Sequence, residues 1–190
     1  MDGDTTTDAA TDVLILPGLW NSGPQHWQSL WHARHPAWRR LEHRDWNDPA
    51  CSEWMAEMDG AIAACDGAPV LVAHSLGCIL AAHWAASGSP LRAAGAFLVA
   101  PSDVEAASYP IDANGFAPIP LSPLPFPSIV VASTNDPFVT RERAQAFAAA
   151  WGSRYVEIGA AGHVNTDAGY GAWPEGERML LDFCAQLGTG

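Results

Sequence analysis

One short stretch, residues 70–80, constrains the fold of this chain more than any other. It reads Val-Leu-Val-Ala-His-Ser-Leu-Gly-Cys-Ile-Leu, so that an apolar run ends near Ser75 and a helical pattern follows at once. The pattern is close to Gly-x-Ser-x-Gly, a sharp strand-to-helix turn that exposes a nucleophilic serine. Ala73 stands in the first glycine position and Gly77 in the second. Alanine is small, so it still allows the strand and the helix to approach closely.

The same letters also fit an ordinary buried strand followed by a helix. In that interpretation Ser75 is only the N-cap, a position that serine favours. The rest of the chain therefore has to supply a base, an orienting acid and an oxyanion hole before the catalytic interpretation is preferred.

Apolar runs and helical patterns alternate along the whole chain, without internal repeats or a linker. This alternation predicts one α/β domain with a central parallel sheet, which we place at residues 12–190. Residues 101–127 contain seven prolines and no periodicity, so they are predicted to be an ordered loop. The predicted strands are 13–16, 38–43, 70–73, 94–99, 128–132 and 154–158, and the predicted helices are 24–35, 51–65, 76–84, 141–151 and 175–187.

Composition excludes several classes of partner. The net charge of −12 argues against nucleic acid and anionic membranes, because phosphate binding needs clustered cations. Residues 1–11 are polar and acidic, which predicts a flexible tail and neither a signal peptide nor an anchor. No apolar run is long enough to cross a bilayer, so we expect a soluble, cytoplasmic protein.

The four cysteines are widely spaced and form no Cys-x-x-Cys pair. They are predicted to be buried free thiols and to form neither disulfides nor a zinc site. His26, His32 and His35 lie near one another in the first predicted helix, but a metal site would need convergent ligands and supporting contacts. We therefore expect no metal and no cofactor.

Polar residues with complementary chemistry follow three of the predicted strands. Ser75 follows the third strand, Asp136 the fifth and His163 the sixth, and ligands of such sheets bind beyond these carboxyl ends. The order Ser, Asp, His is that of the α/β-hydrolases. A serine needs a base to become nucleophilic, and His163 could take its proton while Asp136 orients the imidazole. Asp103 and Asp112 are rival candidates for the acid.

An oxyanion hole needs two backbone N–H groups directed at the developing negative charge. One is expected from Leu76, directly after the serine. The other is expected from Leu19, in the Pro-Gly-Leu-Trp loop after the first strand. A plain tight turn is the alternative interpretation of that loop, since Pro-Gly is a common turn signal.

Several blocks together resemble the small serine hydrolases of the retinoblastoma-binding-protein-nine and YdeN-like family. The resemblance implies a three-layer α/β-hydrolase fold, with a mainly parallel sheet in strand order 2-1-3-4-5-6, helices on both faces and no cap domain. It also implies a triad at Ser75, Asp136 and His163. The blocks that carry it are Pro17-Gly18, Asn21-Ser22-Gly23-Pro24-x-His26-Trp27-Gln28, Ala73-His74-Ser75-Leu76-Gly77-Cys78, Asn135-Asp136-Pro137, Gly162-His163-Val164-Asn165 and Trp173-Pro174-Glu175-Gly176.

One departure from the family bears on partners. The Leu-x-Cys-x-Glu pattern that binds retinoblastoma protein is missing, because Pro49 stands where the leucine would precede Cys51 and Glu53. The sequence therefore gives no support for a partner of that type.

The loop at 101–127 is too short for a bulky cap, which predicts a shallow pocket for a small ester or amide. We expect a carboxylesterase. The alternatives are an amidase or peptidase with the same triad, and a non-catalytic binding module on this fold.

His74 is predicted to pack against the core, and Cys78 to be buried and unreactive. The predicted pocket rim consists of Trp20, His26, Trp27, Phe116, Ile119 and Phe138.

Overall fold

The computed structural model describes residues 12–188, in which strands alternate with helices except between the fourth and fifth strands. The predicted tail, residues 1–11, lies outside the described residues. The strands are β1 Val13–Leu16, β2 Arg39–Arg40, β3 Val70–His74, β4 Gly95–Val99, β5 Ser128–Ala132 and β6 Arg154–Glu157. The helices are α1 Trp27–Arg34, α2 Cys51–Ala63, α3 Leu76–Ala86, α4 Arg141–Trp151 and α5 Pro174–Leu187.

The strands form one parallel sheet in the order β2-β1-β3-β4-β5-β6, which confirms the predicted order. Strand order reverses at β1, whose two neighbours are β2 and β3. Open α/β sheets bind ligands at such a switch point, beyond the carboxyl ends of the strands. The loop after β1 and the turn after β3 leave the sheet at this point.

Both faces of the sheet are covered by helices. Leu14 and Leu16 of β1 pack in a core with α2, α3 and α4, whereas Val13 and Ile15 pack in a second core with α1 and α5. Side chains of a strand alternate between faces, and strands that are buried on both faces are apolar throughout. This accounts for the apolar runs of β1 and β4, of residues 70–73 in β3 and of residues 129–132 in β5.

Two predicted elements are shorter by four residues each in the structure, and three others by one or two residues. The strand predicted at 38–43 is reduced to Arg39–Arg40, because the Trp38 N–H donates back to His35 O and the chain leaves the sheet after Leu41. The first helix begins at Trp27 and not at Pro24, since residues 23–26 form a turn in which the His26 N–H donates to Gly23 O.

Between β4 and β5 the described chain contains no helix or strand of three or more residues, only turns and one isolated bridge. A cap domain is therefore absent from this position among residues 12–188, as the resemblance implied. None of the helices in this range is both long and apolar enough to span a membrane.

Candidate active site

Ser75 occupies a strained turn between β3 and α3. Its backbone has φ 55° and ψ −122°, a region that residues other than glycine rarely adopt. The turn is tight because α3 packs directly on the end of β1. A Cβ placed on Gly77 would lie 2.4 Å from Leu16 O, so only glycine fits there. The sequence thus specifies a turn that holds the Ser75 side chain at the carboxyl edge of the sheet.

Three side chains from different strand ends meet at this edge. His163 Nε2 lies 2.8 Å from Ser75 Oγ. On the other side of the ring, Nδ1 lies 3.0 Å and 2.9 Å from the two carboxylate oxygens of Asp136. The Asp136 side chain is fully buried and accepts a further bond from the Phe138 N–H at 2.8 Å. A carboxylate on Nδ1 fixes the proton there, which leaves the Nε2 lone pair facing the hydroxyl.

The loops that carry Asp136 and His163 are joined to each other by hydrogen bonds. Ser133 Oγ accepts from the Ala161 N–H at 2.9 Å, and Asn135 Oδ1 accepts from the Gly162 N–H at 2.8 Å. Ser133 Oγ itself donates to Asn135 Oδ1 at 2.8 Å. These contacts tie the loop that carries the acid to the loop that carries the imidazole.

The two predicted oxyanion donors lie next to each other. Leu76 is the first residue of α3, where backbone N–H groups lack helical acceptors. A Cβ on Gly18 would lie 2.8 Å from Ser75 Cβ and 3.1 Å from Leu76 N, so the loop after β1 touches the turn. In this loop the N–H groups of Trp20 and Asn21 already donate to Trp46 O and Gly18 O. The N–H of Leu19, the residue between Gly18 and Trp20, stays the predicted second donor.

A cavity of about 310 Å³ opens beside Ser75. Trp20, His26 and Phe138 line it, together with Leu19 and Tyr109. The Trp20 indole is 55% exposed at the rim, and its backbone has φ 62°.

The prediction for Trp27 is wrong. Its indole is fully buried between α1 and α5, where its N–H donates to Val164 O at 2.9 Å, so it does not reach the cavity. Phe116 and Ile119 are also buried in the core and lie outside the cavity lining.

The matches with known proteins agree with this geometry. A family model described as serine hydrolase matches residues 13–182. The chain belongs to this serine hydrolase family. A protein described as a YdeN-like hydrolase from Pectobacterium atrosepticum is 36% identical over 93% of this chain and 92% of its own, with a TM-score of 0.83. The α/β-hydrolase fold and the YdeN-like resemblance are therefore confirmed, and the protein is an enzyme of this type.

More distant structures share the fold of this serine hydrolase. The ydeN gene product of B. subtilis is 20% identical, with a TM-score of 0.75 over 95% of this chain and 100% of its own. A thermophilic esterase from Thermogutta terrifontis is 16% identical, with a TM-score of 0.67 over 93% of this chain and 90% of its own. Comparison with curated proteins finds no match.

The rival acids of this serine hydrolase lie elsewhere. Asp103 pairs with Arg143, with an Nε–Oδ2 distance of 3.2 Å, and the only carboxylate bonded to His163 among residues 12–188 is Asp136. Asp112 is exposed in the loop after β4. No group of three or more possible metal ligands occurs in the described part of the chain.

The cysteines of the serine hydrolase are free in the structure. Burial raises the pKa of the Cys78 thiol well above its usual value, so this residue next to the turn is held in its neutral form and is a poor nucleophile.

Two supporting residues could not be predicted from motif spacing alone. Gln28 Nε2 donates to Leu16 O and Val72 O, both at 3.1 Å, and so joins the ends of β1 and β3. Arg40 donates to Asn21 Oδ1 at 2.6 Å and to Ser22 O at 2.9 Å. Together they brace the loop after β1. Gln28 does lie within the Asn-Ser-Gly-Pro block, but nothing in that pattern indicates which residue it bonds.

Proposed function

We propose that the protein is a carboxylesterase that cleaves small acyl esters, with Ser75 as nucleophile, His163 as base and Asp136 as the orienting acid. The observation that carries the proposal is the continuous chain of hydrogen bonds from Asp136 through His163 to Ser75 Oγ, closed by a distance of 2.8 Å. Distances of this size are those expected of a nucleophile and its base.

The geometry supports the following sequence of steps. His163 Nε2 takes the Ser75 proton as Oγ attacks the acyl carbon, and the negative oxygen is stabilised by the N–H groups of Leu76 and Leu19. The imidazolium, paired with Asp136, then gives its proton to the alcohol oxygen as the ester C–O bond breaks. A water molecule, deprotonated by the same Nε2, attacks the acyl-enzyme. The acid is released and Ser75 recovers its proton.

The size of the cavity supports a small substrate. At about 310 Å³ it lies at the lower end of the range of small-molecule sites. The described chain carries no cap above it. The wall near Phe138, Leu19 and Pro110 is apolar, and this favours a neutral acyl group.

Steady-state hydrolysis of p-nitrophenyl butyrate and of butyryl p-nitroanilide tests the proposal. We expect turnover of the ester, a much lower rate for the anilide, and a loss of about 10⁴-fold or more in kcat for Ser75→Ala. Faster turnover of the anilide would favour an amidase. No turnover of any ester in a panel by the folded protein would favour a binding module.

A further inference from the structure

His26 has one ring nitrogen in use and one without a partner. Its Nδ1 accepts from the Gln28 N–H at 3.2 Å and so caps helix α1. A nitrogen that accepts cannot carry the proton of a neutral imidazole, so that proton lies on Nε2. His26 is only 5% exposed, and its Nε2 is buried without a hydrogen-bond partner among residues 12–188. Buried donors are normally satisfied, and no protein group satisfies this N–H, so it can serve an acceptor that enters the cavity.

The ring lies in the wall of the active-site cavity. His26 lines this cavity together with Ser75 and His163. Its ring centroid is 4.7 Å from that of His74, which in turn is 4.8 Å from that of His163. His74 Nε2 donates to the His163 backbone carbonyl at 2.8 Å, so His74 is committed to supporting the base. The three imidazoles of His26, His74 and His163 thus form a row of ring contacts that ends at the reacting atoms. Within this row, His26 has the N–H that makes no hydrogen bond.

His26 is neutral in the folded protein. Burial, together with the charges of Arg40 and His163, lowers the pKa of its imidazole to about 3. It therefore offers an N–H without a positive charge. Asp167 also lines the cavity, and the whole chain carries a charge of −12. Arg40 lies outside this lining and is bonded to Asn21 and Ser22, whereas Asp167 is part of the lining. The nearby carboxylate disfavours a carboxylate or phosphate as the acceptor and favours an uncharged oxygen.

We propose that His26 is a specificity-determining residue whose Nε2–H donates to an uncharged oxygen of the substrate outside the ester group that is cleaved. The preferred substrates are then neutral esters with a second oxygen function: a ketone, an ether or a hydroxyl. This inference rests on the proposed function, because it requires an ester bound at Ser75. It goes further in assigning one particular polar contact in the pocket to a named donor.

The capping role of His26 does not account for the orphan nitrogen. Capping uses Nδ1 alone, and asparagine performs it at least as well as histidine does. His26→Asn therefore keeps an acceptor for the Gln28 N–H while it removes the donor at the Nε2 position. His26→Ser is a second variant that retains a cap and removes the donor.

Matched ester pairs test the assignment. On the acyl side, p-nitrophenyl methoxyacetate is compared with the butyrate, and the 4-oxopentanoate with the 4-methylpentanoate. On the alcohol side, 2-methoxyethyl butyrate is compared with butyl butyrate. Within each pair one oxygen replaces a carbon group of similar size, and comparing each variant with the wild type cancels differences in intrinsic reactivity.

We expect His26→Asn and His26→Ser to lower kcat/KM about tenfold for the oxygenated member of at least one pair, the loss typical of one hydrogen bond. We compare the ratio of kcat/KM between the two members of each pair, so any loss that the substitution causes in both members cancels; this ratio should fall about tenfold in the pair that responds. The pair that responds identifies the side of the substrate that His26 contacts. Equal effects on both members of every pair overturn the proposal and leave His26 with a structural role.

Labelling of Ser75 by a fluorophosphonate in the wild type separates the two proposals. If Ser75 is labelled but the His26 variants affect both members of every ester pair equally, only the proposed role of His26 is overturned. A folded wild-type protein that neither labels nor hydrolyses any of these esters overturns the proposed function and the role of His26 with it.

Discussion

At the scale of single residues, the assignment of Asp136 as the orienting acid can be tested against its closest rival. The Asp136 side chain is fully buried and bonded to His163 through both oxygens, whereas Asp103, in the loop after β4, pairs with Arg143 of α4. Asp136→Asn should lower kcat about 10⁴-fold, because the amide permits the wrong tautomer of His163. Steady-state kinetics on a p-nitrophenyl ester measures this.

Asp103→Asn is the matched control, since it makes the same chemical change at the other candidate. It breaks an ion pair that is partly open to solvent, so we expect a loss of about 0–1 kcal/mol in the free energy of unfolding and little change in kcat. The opposite result, with Asp103→Asn inactive and Asp136→Asn active, would move the acid to the end of β4.

At the scale of elements, the close contact between α3 and the end of β1 predicts an asymmetry between two helical glycines. A Cβ at position 77 would meet Leu16 O at 2.4 Å and Pro17 O at 2.9 Å, and both are backbone atoms. Gly77→Ala should therefore lower the free energy of unfolding by about 1–3 kcal/mol. It should also lower kcat, because the shift moves the Ser75 turn.

Gly60→Ala is the control on α2. Nothing lies within 4 Å of a Cβ at this exposed position, and alanine is the better helix former. This variant should raise the free energy of unfolding by about 0.5–1 kcal/mol with kcat unchanged. Urea denaturation measures both variants. A stable and active Gly77→Ala protein would show that the turn is looser than the structure indicates.

Some features of the helices and strands could be predicted from sequence patterns, and others could not. Apolar runs end where strands end, so the edge that gathers Ser75, Asp136 and His163 follows from sequence, whereas the order of the strands is implied by the resemblance to the YdeN-like family. The direction of a helical side chain does not follow: Trp27 is apolar and adjacent to His26, yet it faces the core while His26 faces the cavity. The length of edge strand β2 also depends on local hydrogen bonds that no periodicity reveals.

At the scale of the whole molecule, the open cavity predicts a dependence on acyl length. Without a cap among residues 12–188, a long chain would lie over the exposed Trp20 and in solvent. We expect kcat/KM to be highest for acetate to butyrate esters and to be lower by about tenfold or more for dodecanoate. The series is measured below the critical micelle concentration of each ester. A preference for the long chains would contradict the small-substrate proposal.

Buried imidazoles predict how stability responds to acid. Burial lowers the pKa of His26 to about 3, and it also lowers the pKa of His43 and that of His74, the last well below its usual value. The unfolded chain therefore binds protons on these rings below about pH 6.5 that the folded protein does not bind. Stability is fully present above that pH and is lost as the pH falls.

The expected slope is about 1.4 kcal/mol per pH unit for each histidine that protonates only on unfolding. Urea unfolding at pH 7.5 and pH 5 measures this slope. His26→Asn should reduce it by about 1.4 kcal/mol per pH unit, the contribution of one histidine. An equal urea midpoint at both pH values would show that these rings protonate without unfolding.

The most direct test of the central claim, that Ser75 is the activated nucleophile, is intact-mass analysis after reaction with a fluorophosphonate. The hydrogen bond from Ser75 Oγ to His163 Nε2 predicts one adduct per wild-type chain, located on the peptide that contains Ser75. Ser75→Ala should form none, and His163→Ala should react far more slowly. No adduct on the folded wild type, or equal labelling of Ser75→Ala, would contradict the claim.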